Sequence, residues 1–266
     1  MMMRYWMIPA LAALMLSAPV ATAERIFIAG DSTAANYGAD RYPQMGWGMA
    51  LACNLDGSVA VENRAMGGRS TKSFIAEGRF DAIAKDIAAG DTLLIQFGHN
   101  DANQAKEERY TPLPDFRVNL LRFISMAREK GAQAVLLTPV ARRSFKEDGS
   151  INDSFGSYAE VTRAVARETA TPLIDLGYDS RVYVHGLGPE PAKAYFLHYS
   201  KEQAQAAGYT RWPDGIADDT HFSEMGARAM ASLVAGRLKE LNLPVSAHVT
   251  PRPAANPPTL GGPTCP

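Results

Sequence analysis

Five residues of this sequence could together perform acyl transfer on an ester. The hydroxyl of Ser32 becomes a nucleophile when a neighbouring base removes its proton. His221 is the one histidine of five with an aspartate three residues before it, so Asp218 could fold back to its Nδ1. Gly68 offers a backbone N–H without an obstructing Cβ, and Asn100 offers a side-chain amide, as donors to an oxyanion.

Each of these residues, taken alone, also fits an ordinary structural role. Serine, asparagine and aspartate are common in turns, and glycine is common in left-handed turns. It is their joint occurrence, in the order Ser, Gly, Asn and Asp-x-x-His, that favours a serine hydrolase. The chain has no G-x-S-x-G motif, so the nucleophile elbow of the α/β-hydrolases is excluded.

The hydrophobic pattern predicts the elements that must position these residues. Residues 92–97 are a largely apolar run, typical of a strand that is buried on both faces. Strands that alternate with helices predict a parallel sheet with helices on both faces, in one domain. The predicted strands are 25–29, 59–63, 92–97, 134–138 and 172–176, and the predicted helices are 46–55, 80–88, 115–130, 158–169 and 224–241.

This arrangement brings the candidate residues to one edge of the predicted sheet. Ligands of open parallel sheets bind beyond the carboxyl ends of the strands. Ser32 follows the first strand, Gly68 lies after the second, and Asn100 follows the third. The Asp-x-x-His pair comes just before the last helix, after an irregular, aromatic-rich stretch at 177–217. Such long loops often bind ligands, although the same aromatic side chains would equally suit a packed cover over the sheet.

The composition excludes several classes of binding protein. The 27 Lys and Arg residues nearly cancel the 28 Asp and Glu residues, for a formal net charge of −1. Binding to nucleic acid or to anionic membranes depends on clustered Lys and Arg, so neither partner is expected. With 46% apolar residues, a chain of 266 residues can bury a large core without metals or disulfides.

The two ends of the chain differ from its middle. Arg4, the apolar run at 5–20 and a small-residue cleavage pattern ending at Ala23 predict a secretory signal peptide at 1–23. The apolar run is shorter than the roughly 20 residues that span a bilayer, so no membrane anchor is expected. We therefore expect a secreted or periplasmic protein. The Pro-rich tail at 244–266 should be extended and lie outside the sheet.

Between these ends, residues 24–243 are expected to form the hydrolase domain. The only two cysteines, Cys53 and Cys265, exclude a disulfide scaffold and a zinc site made of cysteines alone. They leave two arrangements open. Either a bridge between them ties down the tail, or Cys53 is a small buried apolar residue and Cys265 is free or paired elsewhere.

Five sequence blocks extend the pattern beyond the candidate residues. They are Gly30-Asp31-Ser32-Thr33-Ala34, Gly46-Trp47-Gly48, Asn63 with Gly68-Arg69-Ser70, Phe97-Gly98-His99-Asn100-Asp101 and Asp218-Asp219-Thr220-His221-Phe222. Over residues 25–241 the chain resembles the SGNH (GDSL-type) hydrolases. Within them it is most similar to the rhamnogalacturonan acetylesterases, carbohydrate esterase family 12.

This resemblance implies a three-layer α/β/α, flavodoxin-like fold with a five-stranded parallel sheet, and no metal or cofactor. It implies a catalytic triad of Ser32, Asp218 and His221. The implied oxyanion hole consists of the N–H of Ser32, the N–H of Gly68 and the side chain of Asn100. The implied reaction removes O-acetyl groups from plant cell-wall polysaccharide, most of all from rhamnogalacturonan (pectin). The implied partner is an acetylated polysaccharide or oligosaccharide, and the oligomeric state stays open.

Three other interpretations fit part of the pattern. The same triad would suit another ester: acetyl-xylan, another acetylated glycan, a lipid or a thioester. A metallophosphatase could use Asp219 and His221 as ligands, but no Asp-x-His motif opens the first strand, and the third block contains His-Asn instead of Asn-His. A non-catalytic carbohydrate-binding protein would use the aromatic-rich stretch, and a complete triad argues against it.

Overall fold

A five-stranded parallel sheet forms the centre of the protein. The computed structural model describes residues 24–254 and 259–265, so the predicted signal peptide at 1–23 lies outside the described residues. The strand order is β2-β1-β3-β4-β5, the order of flavodoxin-like folds, which confirms the expected fold class. The strands are β1 (Arg25–Gly30), β2 (Ala60–Asn63), β3 (Thr92–Gln96), β4 (Gln133–Leu137) and β5 (Leu173–Ile174).

Helices cover both faces of this sheet. Successive strand residues point to opposite faces, so Ile28 and Leu94 join one apolar cluster while Phe27 and Leu93 join the other. The first cluster includes residues of α1 (Trp47–Ala50), α6 (Leu176–Leu187) and α8 (Glu224–Glu240). The second includes residues of α2 (Thr71–Ala76), α3 (Arg79–Asp86), α4 (Leu113–Glu129) and α5 (Gly156–Glu168). This is the expected three-layer arrangement.

The prediction of an irregular stretch at 177–217 is wrong, because most of these residues form helices and strands in the structure. It contains most of α6, then β6 (Phe196–Tyr199), α7 (Lys201–Ala206) and the start of β7 (Ile216–Phe222). Glycine and β-branched valine lower the intrinsic helix propensity of α6, yet its buried face packs in the core. Tertiary packing thus overrides the local preference. The β6 and β7 strands pair antiparallel, apart from the main sheet.

Smaller differences concern helix extents. The predicted helix at 46–55 is divided between α1 and a 3-10 helix at Leu51–Asn54. The short α2 helix was not predicted, although Ser70 begins it with a reciprocal capping box involving Ser73. The remaining predicted strands and helices lie within about three residues of the observed ones.

The C-terminal tail is bound to the domain along its described residues. Of the two cysteine arrangements, the structure has the disulfide, between Cys53 and Cys265. The carboxylate of Glu224 accepts hydrogen bonds from the backbone N–H groups of 260–262. The tail contributes no strand to the five-stranded sheet, and it begins with a 3-10 helix at Pro244–His248 where an extended segment was expected.

Candidate active site

Ser32 lies in a tight turn immediately after β1. Asp31 fixes this turn, because its Oδ1 accepts from the N–H of Thr33 at 2.9 Å and from the Thr33 hydroxyl at 2.8 Å. The carbonyl of Asp31 also accepts from the N–H of Ala35. The Tyr37 hydroxyl donates to the carbonyl of Ser32 at 2.7 Å. The backbone on both sides of the nucleophile candidate is therefore held by hydrogen bonds.

His221 connects Ser32 to Asp218, as the spacing predicts. Its Nε2 lies 3.0 Å from Ser32 Oγ, and its Nδ1 lies 2.7 Å from Asp218 Oδ2. The other oxygen, Asp218 Oδ1, accepts from the N–H groups of Thr220 at 2.7 Å and His221 at 3.0 Å. An imidazole that donates from Nδ1 to a carboxylate presents an unprotonated Nε2 to the hydroxyl, which is the tautomer that a general base needs.

An irregularity in β7 lets Asp218 reach His221. In the β6–β7 pair, Asp218 is opposite Leu197 and Phe222 is opposite Phe196, so three residues on β7 have no counterpart on β6. The chain between Asp218 and Phe222 therefore bulges from the ladder. Bulges of this kind change the direction of side chains and are frequent beside active sites. The Asp-x-x-His motif lies in this bulge, not in the turn before α8 that the sequence suggested.

Asp218 stays ionised at neutral pH in this environment. Burial raises its pKa, but the hydrogen bond and charge of His221, together with two backbone N–H donors, outweigh burial and lower the pKa to about 2. Its neighbour Asp219 faces away, with a side chain that is 49% exposed and bound by Arg143 and His198 at 2.7 Å each. The two adjacent carboxylates thus have separate sets of partners.

The residues that carry the three candidate N–H donors, Ser32, Gly68 and Asn100, line one cavity. Gly68 has a φ of +79°, a left-handed conformation that favours glycine, and its backbone lines the same cavity as Ser32. In the part of the chain that the structure describes, the N–H groups of Ser32 and Gly68 have no acceptor. The Asn100 amide nitrogen donates to the Arg69 carbonyl at 3.0 Å, and its oxygen accepts from Arg109 at 3.0 Å. One N–H of Asn100 therefore remains for an oxyanion.

Two buried carboxylates support these loops from behind. Asp31 Oδ2 lies 3.4 Å from His99 Nδ1, which links the Ser32 turn to the loop of Asn100. Burial raises the pKa of Asp31, but the nearby His99 ring and the Thr33 hydrogen bonds outweigh it and lower the pKa. Asp101 is also buried, and burial raises its pKa to about 7 despite hydrogen bonds from Thr71. These residues occur in the sequence blocks, but they were not expected to have a role.

These groups open into one cavity of about 640 Å³ at the carboxyl edge of the sheet. Leu197 and Ile216, from the β6–β7 pair, and Trp212 form one wall. The candidate residues that line the cavity are Ser32, Gly68, Asn100, Asp218 and His221. A crevice at this place is expected, because the strand order reverses between β1 and β3.

Comparison with known proteins identifies the family. A sequence model of the GDSL-like Lipase/Acylhydrolase family matches residues 28–229. The chain belongs to this family. It is 41% identical over 228 residues to the rhamnogalacturonan acetylesterase RhgT of Bacillus subtilis, covering 86% of this chain and 95% of RhgT. It is likewise 41% identical to the probable rhamnogalacturonan acetylesterase YesY of the same organism, covering 85% of this chain and 98% of YesY.

Several solved structures share the fold. Protein YxiM of Bacillus subtilis superposes with a TM-score of 0.70 at 30% identity, covering 84% of this chain and 58% of YxiM. A mutant of Axe2, an acetylxylan esterase from Geobacillus stearothermophilus, has a TM-score of 0.55 at 16% identity, covering 82% and 95% of the two chains. At that identity the likeness to Axe2 concerns the fold alone.

The metal site of the metallophosphatase alternative is not assembled in this GDSL protein. Its suggested ligands diverge, since His221 faces Ser32 and Asp218 while Asp219 is bound by Arg143. Within residues 24–254 and 259–265, no group of three or more His, Cys, Asp or Glu side chains is placed to hold a metal ion. In the same residues, no helix is long and apolar enough to cross a membrane.

Sequence reasoning missed three arginines in the cavity of this GDSL protein. Arg41, Arg109 and Arg142 all line it. Arg142 follows β4, so the rule that ligands lie beyond strand ends applies to it as well. Arg41 and Arg109 have no such signal, because Arg41 ends a short 3-10 helix at Ala39–Arg41 and Arg109 lies in a turn, and neither follows a strand.

Proposed function

We propose that this chain is a serine esterase that removes O-acetyl groups from rhamnogalacturonan. The observation that supports it most directly is the hydrogen-bonded set of Ser32, His221 and Asp218. His221 Nε2 lies 3.0 Å from Ser32 Oγ, and His221 Nδ1 lies 2.7 Å from Asp218 Oδ2. The cavity beside it is lined by polar side chains as well as by Trp212, which suits a sugar. The two 41% identical relatives whose names contain this activity support the choice of polymer.

The geometry supplies each step of acyl transfer. His221 Nε2 removes the proton of Ser32 as Oγ attacks the acetyl carbonyl carbon, and Asp218 stabilises the resulting imidazolium. The N–H groups of Ser32 and Gly68, with the Asn100 amide, bind the tetrahedral oxyanion. When that intermediate collapses, His221 gives the proton to the departing sugar oxygen, which leaves an acetylated Ser32. His221 then takes a proton from a water whose oxygen attacks the acetyl carbon. When this second intermediate collapses, the bond from carbon to Ser32 Oγ breaks, His221 gives the proton to Oγ, and acetic acid leaves.

The site of action belongs to the same proposal. Acetylated polymers of the plant cell wall lie outside the cell, and the predicted signal peptide at 1–23 would export the enzyme. The disulfide between Cys53 and Cys265 fits an oxidising compartment. Sequencing the N-terminus of the exported protein tests this part, and a mature chain that begins near Glu24 is the expected result.

Acetate release from three polymers in parallel tests the proposed function. Acetylated rhamnogalacturonan should be the best substrate, ahead of acetyl-xylan and acetylated homogalacturonan. Equal rates on all three would contradict the narrow substrate. The control is Ser32→Ala, which removes the nucleophile and should lower kcat about 10³-fold or more on every ester. Near-normal turnover of an aryl acetate by this variant would show that Ser32 is a residue of the turn and not the nucleophile.

A further inference from the structure

The catalytic cavity has an excess of positive charge. Three arginines line it, Arg41, Arg109 and Arg142, against a single carboxylate, that of Asp218. That carboxylate is already paired with His221 at 2.7 Å. A cavity with fixed cations and low-dielectric walls attracts anionic groups of a ligand.

The three arginines are not equivalent. The guanidinium of Arg109 already has partners in the protein. It donates to Oδ1 of Asn100, a candidate oxyanion donor, at 3.0 Å, and it lies 3.6 Å from the carboxylate of Glu108. Arg41 and Arg142 form no ion pair with any residue of the described chain. Two guanidinium charges in the cavity therefore have no compensating carboxylate.

Arg142 has the least satisfied side chain of the three. Its guanidinium lies over the ring of Phe155, 5.0 Å from the centroid, and Phe155 packs against His99 at 4.2 Å. This stack positions Arg142 on the side of the cavity where Asn100 lies. The Arg142 Nε is buried without a hydrogen-bond acceptor among the described residues. The terminal nitrogens of Arg142 have no acceptor among the described residues either, so these donors remain available to a ligand in the cavity that Arg142 lines.

Arg41 is held in the cavity by Gln44 and Tyr37. Its Nε and one terminal nitrogen donate to Gln44 Oε1 at 3.2 Å and 2.9 Å. The guanidinium lies 5.7 Å from the ring centroid of Tyr37, whose hydroxyl donates to the Ser32 carbonyl. Gln44 is neutral, so these contacts fix the position of Arg41 and leave its charge uncompensated.

We infer that Arg142, together with Arg41, binds carboxylates of uronic acid units next to the acetylated sugar. This inference rests on the proposed function, whose polymer contains galacturonate. A guanidinium binds a carboxylate through two parallel hydrogen bonds, a geometry that a neutral sugar hydroxyl does not match. The two arginines would thereby select acidic polysaccharides over neutral ones such as xylan, without touching the ester.

The test compares Arg142→Gln with Arg122→Gln. Arg122 on α4 is a matched control, because its guanidinium also lies over a phenylalanine ring, that of Phe80 at 5.3 Å, but it does not line the catalytic cavity. The measured quantity is kcat/KM for acetylated rhamnogalacturonan oligosaccharides divided by kcat/KM for 4-nitrophenyl acetate. We expect Arg142→Gln to lower this ratio about 10-fold or more, mainly through KM. Arg122→Gln should leave the ratio unchanged.

A modified substrate tests the same contact by removing the carboxylate instead of the arginine. Reducing the uronate carboxylates to primary alcohols should lower the ratio of the wild-type enzyme at least as far as Arg142→Gln does. The ratio for native oligosaccharides should fall with added salt, because salt screens the ionic contact, and the ratio for reduced ones should not. An unchanged ratio in Arg142→Gln, or equal hydrolysis of native and reduced oligosaccharides by the wild type, would overturn the carboxylate site.

Failure of the proposed function gives a different result. In that case the wild type releases no acetate from acetylated rhamnogalacturonan but still hydrolyses 4-nitrophenyl acetate. Inhibition of that hydrolysis by oligogalacturonate then tests the carboxylate site. The inhibition constant should rise about 10-fold or more in Arg142→Gln, because a charge-assisted hydrogen bond is lost. Absence of inhibition of the wild type would overturn the inference independently of the polymer.

Discussion

At the scale of single residues, the adjacent aspartates Asp218 and Asp219 have different partners. Asp218 accepts from His221, whereas Asp219 is bound by Arg143 and His198. We expect Asp218→Asn to lower kcat on an aryl acetate about 10³- to 10⁴-fold, because the amide favours the wrong tautomer of the imidazole. Asp219→Asn is the matched control and should stay close to the wild-type kcat. If Asp219→Asn loses activity and Asp218→Asn does not, the acid of the triad is Asp219 and not Asp218.

Asn100 should act mainly in the transition state. Its amide is oriented by the Arg69 carbonyl and by Arg109, which leaves one N–H for the oxyanion. Asn100→Ala should therefore lower kcat about 10²- to 10³-fold with little change in KM. Steady-state kinetics on a soluble acetate ester separate the two parameters. A large rise in KM at constant kcat would mark Asn100 as a contact to the bound substrate instead.

The site residues that the sequence predicted share one property, which is that each belongs to a local motif. Ser32 and Asn100 directly follow buried strands, and Asp218 has a fixed spacing from His221, so chain order alone places them. Arg142 belongs to no motif. Its place in the cavity depends on a ring contact with Phe155, which lies at the other end of the same β4–α5 connection, and no sequence pattern specifies how that connection folds.

At the scale of elements, the secondary structure predicted from the sequence is most accurate where the hydrophobic periodicity is strong and least accurate for β6 and β7. The buried strand β3 was predicted to within one residue. The β7 strand was not predicted, because its residues include four polar groups in succession, Asp218 to His221, and these lie partly exposed in a bulged antiparallel pair. Such a strand lacks the apolar alternation by which strands are identified.

The start of α2 depends on a buried acid that follows β3. Asp101 Oδ1 accepts from the N–H of Thr71 at 2.9 Å and from its hydroxyl at 2.6 Å, while Oδ2 is buried without a partner. Burial raises the pKa of Asp101 to about 7, above its ordinary value of 3.8. The folded state therefore binds this proton more tightly than the unfolded state does. Its contribution to stability is greatest at acid pH and is lost as the pH rises through 7.

Asp101→Asn should remove this pH dependence. Asparagine resembles the protonated acid in shape and cannot ionise. Between pH 5 and pH 8 the free energy of unfolding of the wild type should fall by about 2–3 kcal/mol relative to the variant. Urea unfolding at the two pH values measures the difference. A constant difference between wild type and variant at both values would show that Asp101 is ionised throughout this range.

At the scale of the whole molecule, the topology of the sheet positions the catalytic cavity, and the C-terminal tail docks on α8. The reversal of strand order between β1 and β3 places the catalytic cavity. The alternation of strands and helices predicts the parallel sheet and its carboxyl edge, whereas the flavodoxin-like strand order is implied only by the family resemblance. The path of the tail was not predictable, because a Pro-rich sequence specifies an extended preference but no docking position. Here Arg228, in the second turn of α8, donates to the carbonyls of Gly262 and Thr264, and one turn before it Glu224 accepts from the tail.

The disulfide should determine stability without affecting catalysis. Cys53 and Cys265 are 212 residues apart, so their bond closes nearly the whole domain into a loop and restricts the unfolded chain. We expect the double variant Cys53→Ser/Cys265→Ser to lose about 2–5 kcal/mol of unfolding free energy, measured by urea denaturation. Its kcat on an aryl acetate should match the wild type, since neither cysteine lines the catalytic cavity. Retained stability in the double variant would mean that the contacts of Glu224 and Arg228 suffice to hold the tail, whereas a parallel loss of kcat would connect the tail to the site.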